Sequence, residues 1–503
     1  MKINQFNQNI VARPIQNRIG SKLIIEMDDM PLSIDPLFCL DFNGRIINQA
    51  IREPLLYKDE DSKLWVGAAA KSFNVSKDKK VILFNLDPKK KWSDGKSVIA
   101  KNFVENFYRM FTFDSPFSQL FLDIKNAKEI LKGEKKIEQL GVKEIDDYIF
   151  KVEFENSVPY LFELFSLSAS SPYPSHITEI NFEKPISNGS YQIIEIGSSY
   201  IELEINPFTE QIDKNSIKNI RFDVYNDAQN SIKRYKENIV DITCHTHFPF
   251  SQIEHMTKYT DFYLEESSIL FNLQLNPNSI PILNNKEFKK NLYDSIDRRE
   301  LEKQLMSGVN ACGNFIPENL VRIFLGEDKL NSHINSKSTK NKFLNELKEI
   351  TITFADFFPN EEIVDYIAKE WKDKMGITVI KEKLPFDIFV EREDIGDYDM
   401  CLSLVSPLFS HPFAYYIPHS YEMYGLENEE VYSSLLEKAM LDNTYETLSS
   451  LEETLLDNLP IIPICTGKSI YMKDSSILNY KLSSDGIPSF SNLKWKKWEE
   501  IKW

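Results

Sequence analysis

The stretch Lys89-Lys90-Lys91-Trp92-Ser93-Asp94-Gly95-Lys96-Ser97-Val98 decides the fold of this chain. Before it, the apolar residues from Val81 to Leu86 predict a buried strand. After it, apolar residues recur at helical spacing from Phe103 to Met110. Asp94-Gly95 is a turn dipeptide in which the glycine supplies a positive φ. The stretch therefore predicts a strand, a tight turn and an amphipathic helix.

Length and composition indicate a globular protein with more than one core. At 503 residues the chain is too long for a single core, so two or three packed units are expected. Its 59 Lys and Arg residues against 76 Asp and Glu residues give a formal net charge of -17. Such an acidic surface argues against binding to a nucleic-acid backbone. The apolar runs are interrupted by charge or proline well before the roughly 20 residues that a membrane span needs.

The number and spacing of the cysteines indicate buried free thiols and not disulfide bonds. They are odd in number, widely spread and without CxxC spacing: Cys39, Cys244, Cys312, Cys401 and Cys465. A framework of disulfides is therefore not expected. Free cysteines of this kind behave mostly as small buried apolar residues.

Two further segments predict supersecondary units. Residues 140–154 alternate apolar and polar side chains across Asp146-Asp147, which predicts a β-hairpin. Residues 350–354 read as a strand, residues 361–375 as an amphipathic helix and residues 377–380 as a second strand. A strand, a helix and a strand in this order predict a β-α-β unit with a parallel pair, as in an α/β domain.

Several segments, in the same order along the chain, resemble the signature segments of one family. They are Trp92 to Gly95 with the following Ala100 to Phe103, Ile34 to Pro36, the end of a helix predicted from Arg45 to Leu56, Ile186 to Tyr191, Gly396 to Met400 and Leu459 to Ile464. Each segment is weak alone, but the shared order is specific. The chain thus resembles the family 5 extracytoplasmic solute-binding proteins, which are the oligopeptide, dipeptide and nickel receptors of ATP-binding-cassette (ABC) importers.

The resemblance implies an α/β, two-lobed periplasmic-binding-protein-like fold of type II, cluster C, with an extra inserted subdomain and two hinge strands. Lobe I would comprise residues 1–50, 167–270 and 469–503, the inserted subdomain residues 51–166, and lobe II residues 271–468. In such a fold, hinge closure of the lobes captures the ligand. The resemblance also implies a monomer that needs no cofactor and delivers its ligand to an ABC permease.

The resemblance assigns ligand-binding residues in the first half of the chain. Residues 243–249 stand where the peptide receptors carry paired Asn residues that bond the ligand backbone. For Phe117, a place in the core remains an alternative to a place against the ligand. The residues assigned in this half are Phe42, Asn43, Phe117, Cys244, His245, Thr246 and His247.

A second group of ligand-binding residues is expected after the Gly396 to Met400 turn. The group comprises Ser403, Val405, Ser406, Phe409 and His411. In the peptide receptors this strand also carries an Arg and an Asp that hold the two ends of the peptide. Leu402 and Leu408 occupy those places here. Because a buried ammonium group without a partner is costly, the sequence favours a less charged or blocked ligand over a free peptide held in the usual way.

The histidines leave a metal site open as an alternative. His245, His247 and His411, with Cys244, are side chains that suit a transition metal, and the nickel receptors use a His near the position of His411. In an extended segment, however, His245 and His247 share one face while Cys244 takes the other. A metal or metal-chelate site and a hydrogen-bonding role for these residues are both retained.

Function and location follow from the motifs that are present and missing. The sequence contains no GxSxG, GxGxxG, GxxxxGK or HExxH motif, so we do not expect an enzyme. The main expectation is an extracytoplasmic protein that binds a peptide-like or small-molecule solute. Residues 1–8 include no continuous apolar segment of a secretory signal, and no lipid-carrying cysteine follows them. A cytoplasmic ligand sensor or solute carrier of the same fold therefore remains an alternative.

Overall fold

The chain forms two compact units in the computed structural model, which describes residues 18–59, 62, 64–177, 185–210, 212–225, 227–326, 346–420, 429–483 and 485–497. Unit 1 comprises Met1–Pro249, His255–Tyr263 and Ile470–Trp503, and unit 2 comprises Phe250–Glu254 and Leu264–Ser469. Separation of residues 51–166 as an inserted subdomain stays a prediction.

Strands and helices alternate through both units. The strands are β1 (Leu23–Met27), β2 (Leu56–Lys58), β3 (Trp65–Gly67), β4 (Ala70–Val75), β5 (Val81–Leu86), β6 (Val142–Asp146), β7 (Ile149–Glu153), β8 (Tyr191–Ile196), β9 (Tyr200–Ile205), β10 (Asn219–Val224), β11 (Phe262–Leu275), β12 (Val309–Ala311), β13 (Glu349–Ala355), β14 (Thr378–Leu384), β15 (Met400–Val405), β16 (Ile461–Met472), β17 (Ile477–Leu478) and β18 (Lys494–Trp495). The helices are α1 (Phe42–Ile51), α2 (Ala100–Thr112), α3 (Ala127–Leu131), α4 (Leu161–Leu164), α5 (Ala228–Lys236), α6 (Ile253–Met256), α7 (Lys286–Ser295), α8 (Arg298–Gln304), α9 (Glu318–Leu320), α10 (Asn360–Met375), α11 (Phe386–Asp394), α12 (Phe413–Tyr416), α13 (Glu429–Asp442) and α14 (Tyr445–Asn458).

Unit 1 has a sheet in the order β1-β10-β9-β8, in which β1 and β10 are parallel and the other pairs antiparallel. Helix α1 packs on this sheet because its apolar side chains recur at helical spacing, and Ile47 and Ile51 share a core with Leu23 and Phe222. The helix begins where the Asp41 carboxylate accepts a hydrogen bond from the Gly44 N–H at 2.8 Å. This arrangement brings the start of α1 close to the chain that leaves β1.

The stretch around Trp92 forms the predicted strand, turn and helix. Strand β5 precedes it and helix α2 follows it. Gly95 has a φ of +86°, and its N–H donates to the Trp92 carbonyl at 2.9 Å. The Ser93 N–H donates to the Ser187 carbonyl at 2.7 Å. The turn is therefore fixed both by glycine and by the segment that leads into β8.

A second antiparallel sheet of unit 1 has the order β4-β5-β7-β6. Strands β6 and β7 pair directly, with Val142 opposite Val152, which confirms the predicted hairpin. One face packs against α2, where Phe84, Phe103 and Phe150 are fully buried. This packing holds α2 in place.

Unit 2 has a six-stranded sheet in the order β12-β16-β11-β15-β13-β14. The predicted β-α-β unit is confirmed, because β13 and β14 are parallel neighbours joined by α10. Helix α10 ends at Gly376, whose φ of +71° is the left-handed conformation that commonly terminates helices. Strand β15, which carries Ser403 and Val405 of the second group of predicted ligand residues, lies between β13 and β11.

Two long strands run from one unit into the other. The division between the units falls after Tyr263, within β11, and after Ser469, within β16. These neighbouring strands are the hinge strands that the resemblance implied.

All five cysteines are buried and carry free thiols. Burial of the cysteines was predicted from their spacing. In the described part of the chain, no helix is both long and apolar enough to cross a membrane.

Candidate functional site

A polar cluster forms at the carboxyl end of β1 in unit 1. Asp28 directly follows this strand and is half-buried. One carboxylate oxygen accepts from Asn43 Nδ2 at 2.8 Å, and the other accepts from Thr246 Oγ1 at 2.8 Å. We call Asp28, Asn43 and Thr246 the Asp28 cluster. In α/β sheets, ligands bind outside the carboxyl ends of the strands, so the cluster lies where a ligand site is expected.

The Asp28 carboxylate has neutral partners. Among the residues that the structure describes, no lysine, arginine or histidine forms an ion pair with it. Each carboxylate oxygen has a second lone pair, which can accept from a further donor. The cluster can therefore bind a cation or an N–H donor of a ligand.

His245 and Phe42 lie together in the same unit. Their ring centroids are 5.3 Å apart, and His245 is 6% exposed. His245 Nε2 lies 2.9 Å from the Gly486 carbonyl oxygen, which can only accept, so this nitrogen carries the proton. Burial lowers the pKa of His245 to about 4, although Asp28 opposes the shift. His245 is thus a neutral ring that supports the segment carrying Thr246.

Cys244 is also buried, and its Sγ lies 3.1 Å from Thr246 Oγ1. Burial raises the pKa of the Cys244 thiol far above its usual range, and the negative charge of Asp28 adds to the effect. The thiol is therefore protonated at neutral pH. His247, on the same segment, is half-buried.

Phe117 lies in a short 3-10 helix, Pro116–Phe121, and is 3% exposed in unit 1. The Phe117 N–H donates to Ser115 Oγ at 3.2 Å, and Ser115 Oγ donates to the Leu37 carbonyl oxygen. This turn is thereby bonded to the loop that follows β1. The assignment of Phe117 to the ligand stays a prediction.

In unit 2, Ser403 and Val405 belong to β15, and Ser406, Phe409 and His411 follow it. Ser403 lies opposite Asn272 of β11. Burial raises the pKa of Glu393 on α11, and the Ser403 hydroxyl opposes this shift. Val405 and Ser406 are half-buried. Residues 406–411 follow the carboxyl end of β15, which is Val405.

Phe409 and His411 are both 4% exposed. The His411 ring stacks on Phe413 with centroids 5.0 Å apart, and its Nδ1 accepts from the Phe413 N–H at 3.3 Å. In the parts of the chain that the structure describes, no group of three or more His, Cys, Asp or Glu side chains could hold a metal. A metal site at His245, His247 and His411 stays an alternative prediction.

The structure brings together five predicted ligand residues of unit 1: Phe42, Asn43, Cys244, His245 and Thr246. The residue that joins two of them, Asp28, was not predicted from the sequence. Its place directly after the first strand was a usable signal, because carboxyl ends of strands in α/β sheets carry sites.

Comparison with known families covers most of the chain. Residues 65–423 match the model described as bacterial extracellular solute-binding proteins, family 5 Middle. The periplasmic murein peptide-binding protein MppA of Escherichia coli is 23% identical over 478 residues, which cover 88% of this chain and 87% of that protein. The oligopeptide-binding protein OppA of Bacillus subtilis is 22% identical over 517 residues, covering 94% of this chain and 92% of that protein.

Solved structures show the same fold. OppA of Haemophilus influenzae in complex with RPPGFSPFR has a TM-score of 0.82 and 21% identity, over 96% of this chain and 100% of that one. The murein tripeptide binding protein MppA of Escherichia coli has a TM-score of 0.81 and 19% identity, over 95% of this chain and 98% of that one. The predicted two-lobed periplasmic-binding-protein-like fold is thereby confirmed. The chain belongs to the bacterial extracellular solute-binding proteins of family 5.

Proposed function

We propose that this protein captures a peptide or peptide-like small molecule and delivers it to an ABC importer. The family match over residues 65–423 carries the proposal. Support comes from the relatives, since MppA is named for binding a murein peptide and an OppA structure contains the peptide RPPGFSPFR. The protein acts outside the cytoplasm, as a monomer, by binding its ligand without converting it.

Residues of both units contact the ligand in this proposal. Those of unit 1 are Phe42, Asn43, Phe117, Cys244, His245, Thr246 and His247, and those of unit 2 are Ser403, Val405, Ser406, Phe409 and His411. Contacts come mainly from aromatic rings and neutral hydrogen-bonding groups. Such a lining suits a ligand with little charge apart from one group.

Asp28 supplies the acidic group that β15 lacks. Leu402 of β15 and Leu408, three residues after its end, stand at the places where charges were expected. Asp28 is half-buried, and both of its oxygens accept from neutral donors of residues already assigned to the ligand. An ammonium or amide N–H of the ligand therefore pairs with Asp28, in place of the acidic group used by the peptide receptors.

The proposed function is tested by native mass spectrometry of the protein purified from its own host. We expect one small molecule retained per chain. Melting temperature is then measured across libraries of peptides and of peptides with blocked ends. A chain that is empty and shows no ligand-dependent change in melting temperature would contradict solute capture.

Replacing Asp28 by asparagine is expected to weaken binding of the retained ligand by about tenfold or more, because a hydrogen bond to a charged group contributes about 1.5–3 kcal/mol. Isothermal titration calorimetry measures the change in Kd. Asp29→Asn is the matched control, since Asp29 is exposed and its Oδ1 accepts from the neighbouring Met30 N–H. If Asp28→Asn and Asp29→Asn had equal Kd values, Asp28 would not contact the ligand.

A further inference from the structure

Glu26 is a buried carboxylate of unit 1 that lies two residues before Asp28. It belongs to β1 and is 2% exposed. A carboxylate at such a position is strongly unfavourable unless it is paired and hydrogen-bonded. The partners of Glu26 therefore indicate which parts of the fold it holds together.

Both carboxylate oxygens of Glu26 bind helix α5. Oε2 accepts from Ser231 Oγ, and Oε1 accepts from Arg234 Nη1 at 2.7 Å. Arg234 Nη2 donates to Asp223 Oδ2 on the neighbouring strand β10 at 3.3 Å. The Arg234 guanidinium also lies over the Tyr225 ring, 4.1 Å from its centroid. Glu26 thereby fixes α5 against β1 and β10.

The same part of β1 also binds the segment that follows α5. The Glu26 N–H donates to the Ile242 carbonyl at 2.9 Å, and the Asp241 N–H donates to the Ile24 carbonyl at 2.8 Å. Burial raises the pKa of the Glu26 carboxyl group, and the Cys244 backbone N–H is among the groups that oppose this shift. The backbone and the side chain of Glu26 thus act on the same segment.

Within this segment, Cys244 and Thr246 extend the contacts to Asp28. Thr246 Oγ1 donates to Asp28 Oδ2 at 2.8 Å. Because an ionised carboxylate can only accept, the single hydrogen of the Thr246 hydroxyl group is used in this bond. In the 3.1 Å contact between Cys244 Sγ and Thr246 Oγ1, the thiol is therefore the donor. Cys244 thus orients the Thr246 hydroxyl group toward Asp28.

We propose that Glu26 is a positioning residue for ligand recognition, which holds α5 and residues 241–246 against β1 so that Thr246 meets Asp28. This role rests on the proposed function, in which Asp28 pairs with an ammonium group of the ligand. A carboxylate that is already held in one orientation loses less conformational entropy when the ligand binds. Glu26 itself does not contact the ligand. The affinity for a free amino terminus nevertheless depends on it.

The preference for a free amino terminus over a blocked one tests this role. The probe is the library peptide with a free amino terminus that raises the melting temperature of wild type most, together with the same peptide acetylated at that end. Calorimetry should show that wild type binds the free form about tenfold or more tightly than the acetylated form. Asp28→Asn and Glu26→Ala should each reduce this preference to about twofold or less. The affinity of Glu26→Ala for the acetylated form should stay within about threefold of wild type.

Two further variants separate positioning from stability. Glu26→Gln should keep a preference of about fivefold or more, because its amide oxygen can accept from Arg234 and its NH₂ group can donate to Ser231 Oγ. Asp35→Asn is the control for a purely structural effect, since Asp35 is a buried carboxylate of unit 1 that pairs with Arg109. Asp35→Asn should lower the melting temperature and leave the preference unchanged.

An unchanged preference in Glu26→Ala would overturn the proposal, and so would an equal loss of affinity for both forms, which indicates a structural role alone. Ser231→Ala is the milder variant if Glu26→Ala does not fold. It removes one of the side-chain partners of Glu26 and should lower the preference about threefold, so an unchanged preference would again contradict the role. A wild type that binds both forms equally would overturn the role of Glu26 without contradicting solute capture. A wild type that binds neither form would contradict solute capture itself.

Discussion

Replacing Trp92 by alanine is expected to lower the free energy of unfolding by about 3–5 kcal/mol, the usual cost of deleting a large buried ring. Trp92 is fully buried, and its ring centroid lies 5.9 Å from that of His176. Its Nε1 donates to Asn102 Oδ1 at 3.4 Å, so the ring joins the turn to the first turn of α2. Alanine would leave a cavity at this junction and free the turn from α2.

The comparison is with Trp65→Ala, because Trp65 is only half-buried on β3 of the same unit. Urea unfolding, followed by far-ultraviolet circular dichroism, measures both variants. The Trp65 variant should lose clearly less stability, since less apolar surface is removed from the interior. If both variants lost the same amount, the burial of Trp92 would not be what stabilises the turn.

Raising the pH from 5 to 8 is expected to lower the stability of unit 2 by about 2.5 kcal/mol through one carboxyl group, Glu452. Glu452 is 3% exposed, and burial raises its pKa from 4.5 to about 7. It accepts from the Phe315 N–H at 2.7 Å and from Tyr416 Oη at 2.9 Å, and these bonds limit the rise. The folded state therefore holds a proton that the unfolded chain has released.

The direction of this effect follows from the raised pKa. The contribution is fully present below pH 4.5, falls as the pH rises and is lost above the folded pKa of about 7. Glu452→Gln should remove the dependence, because the amide resembles the protonated carboxyl group, with one donor side and one acceptor side, and cannot ionise. Glu453→Gln, at an exposed neighbouring position, should behave as wild type. Urea unfolding at several pH values measures the free energy of unfolding of each variant. If the Glu452→Gln variant kept the pH dependence, a group other than Glu452 would be its cause.

Individual turns, helices and strands were predictable because turn residues and the spacing of apolar residues act over a few positions of the sequence. The turn at Asp94-Gly95 and the β-α-β unit of β13, α10 and β14 have the predicted form. The helix predicted from Arg45 to Leu56 is shifted, since α1 spans Phe42–Ile51. Pro54 disfavours helical backbone just before it, and Asp41 caps an earlier start. Periodicity located the helix, while capping and proline set its ends.

The candidate site was predicted in part. Asn43 and Thr246 were assigned through the family resemblance, but the carboxylate between them was not. Asp28 lies 15 residues from Asn43 and 218 residues from Thr246 along the chain. No local pattern reports a contact over such a separation. It required the parallel pairing of β1 with β10 and the bridge from Ile25 to Ile242.

The sequence by itself determined the family, the α/β class and the positions of most turns, helices and strands, because glycine, proline and apolar spacing act over a few residues. Only the tertiary structure decided which side chains meet. It placed Asp28 between two neutral donors, Asn43 and Thr246. Charge balance at a buried position depends on all the segments that surround it, and those segments come from distant parts of the chain.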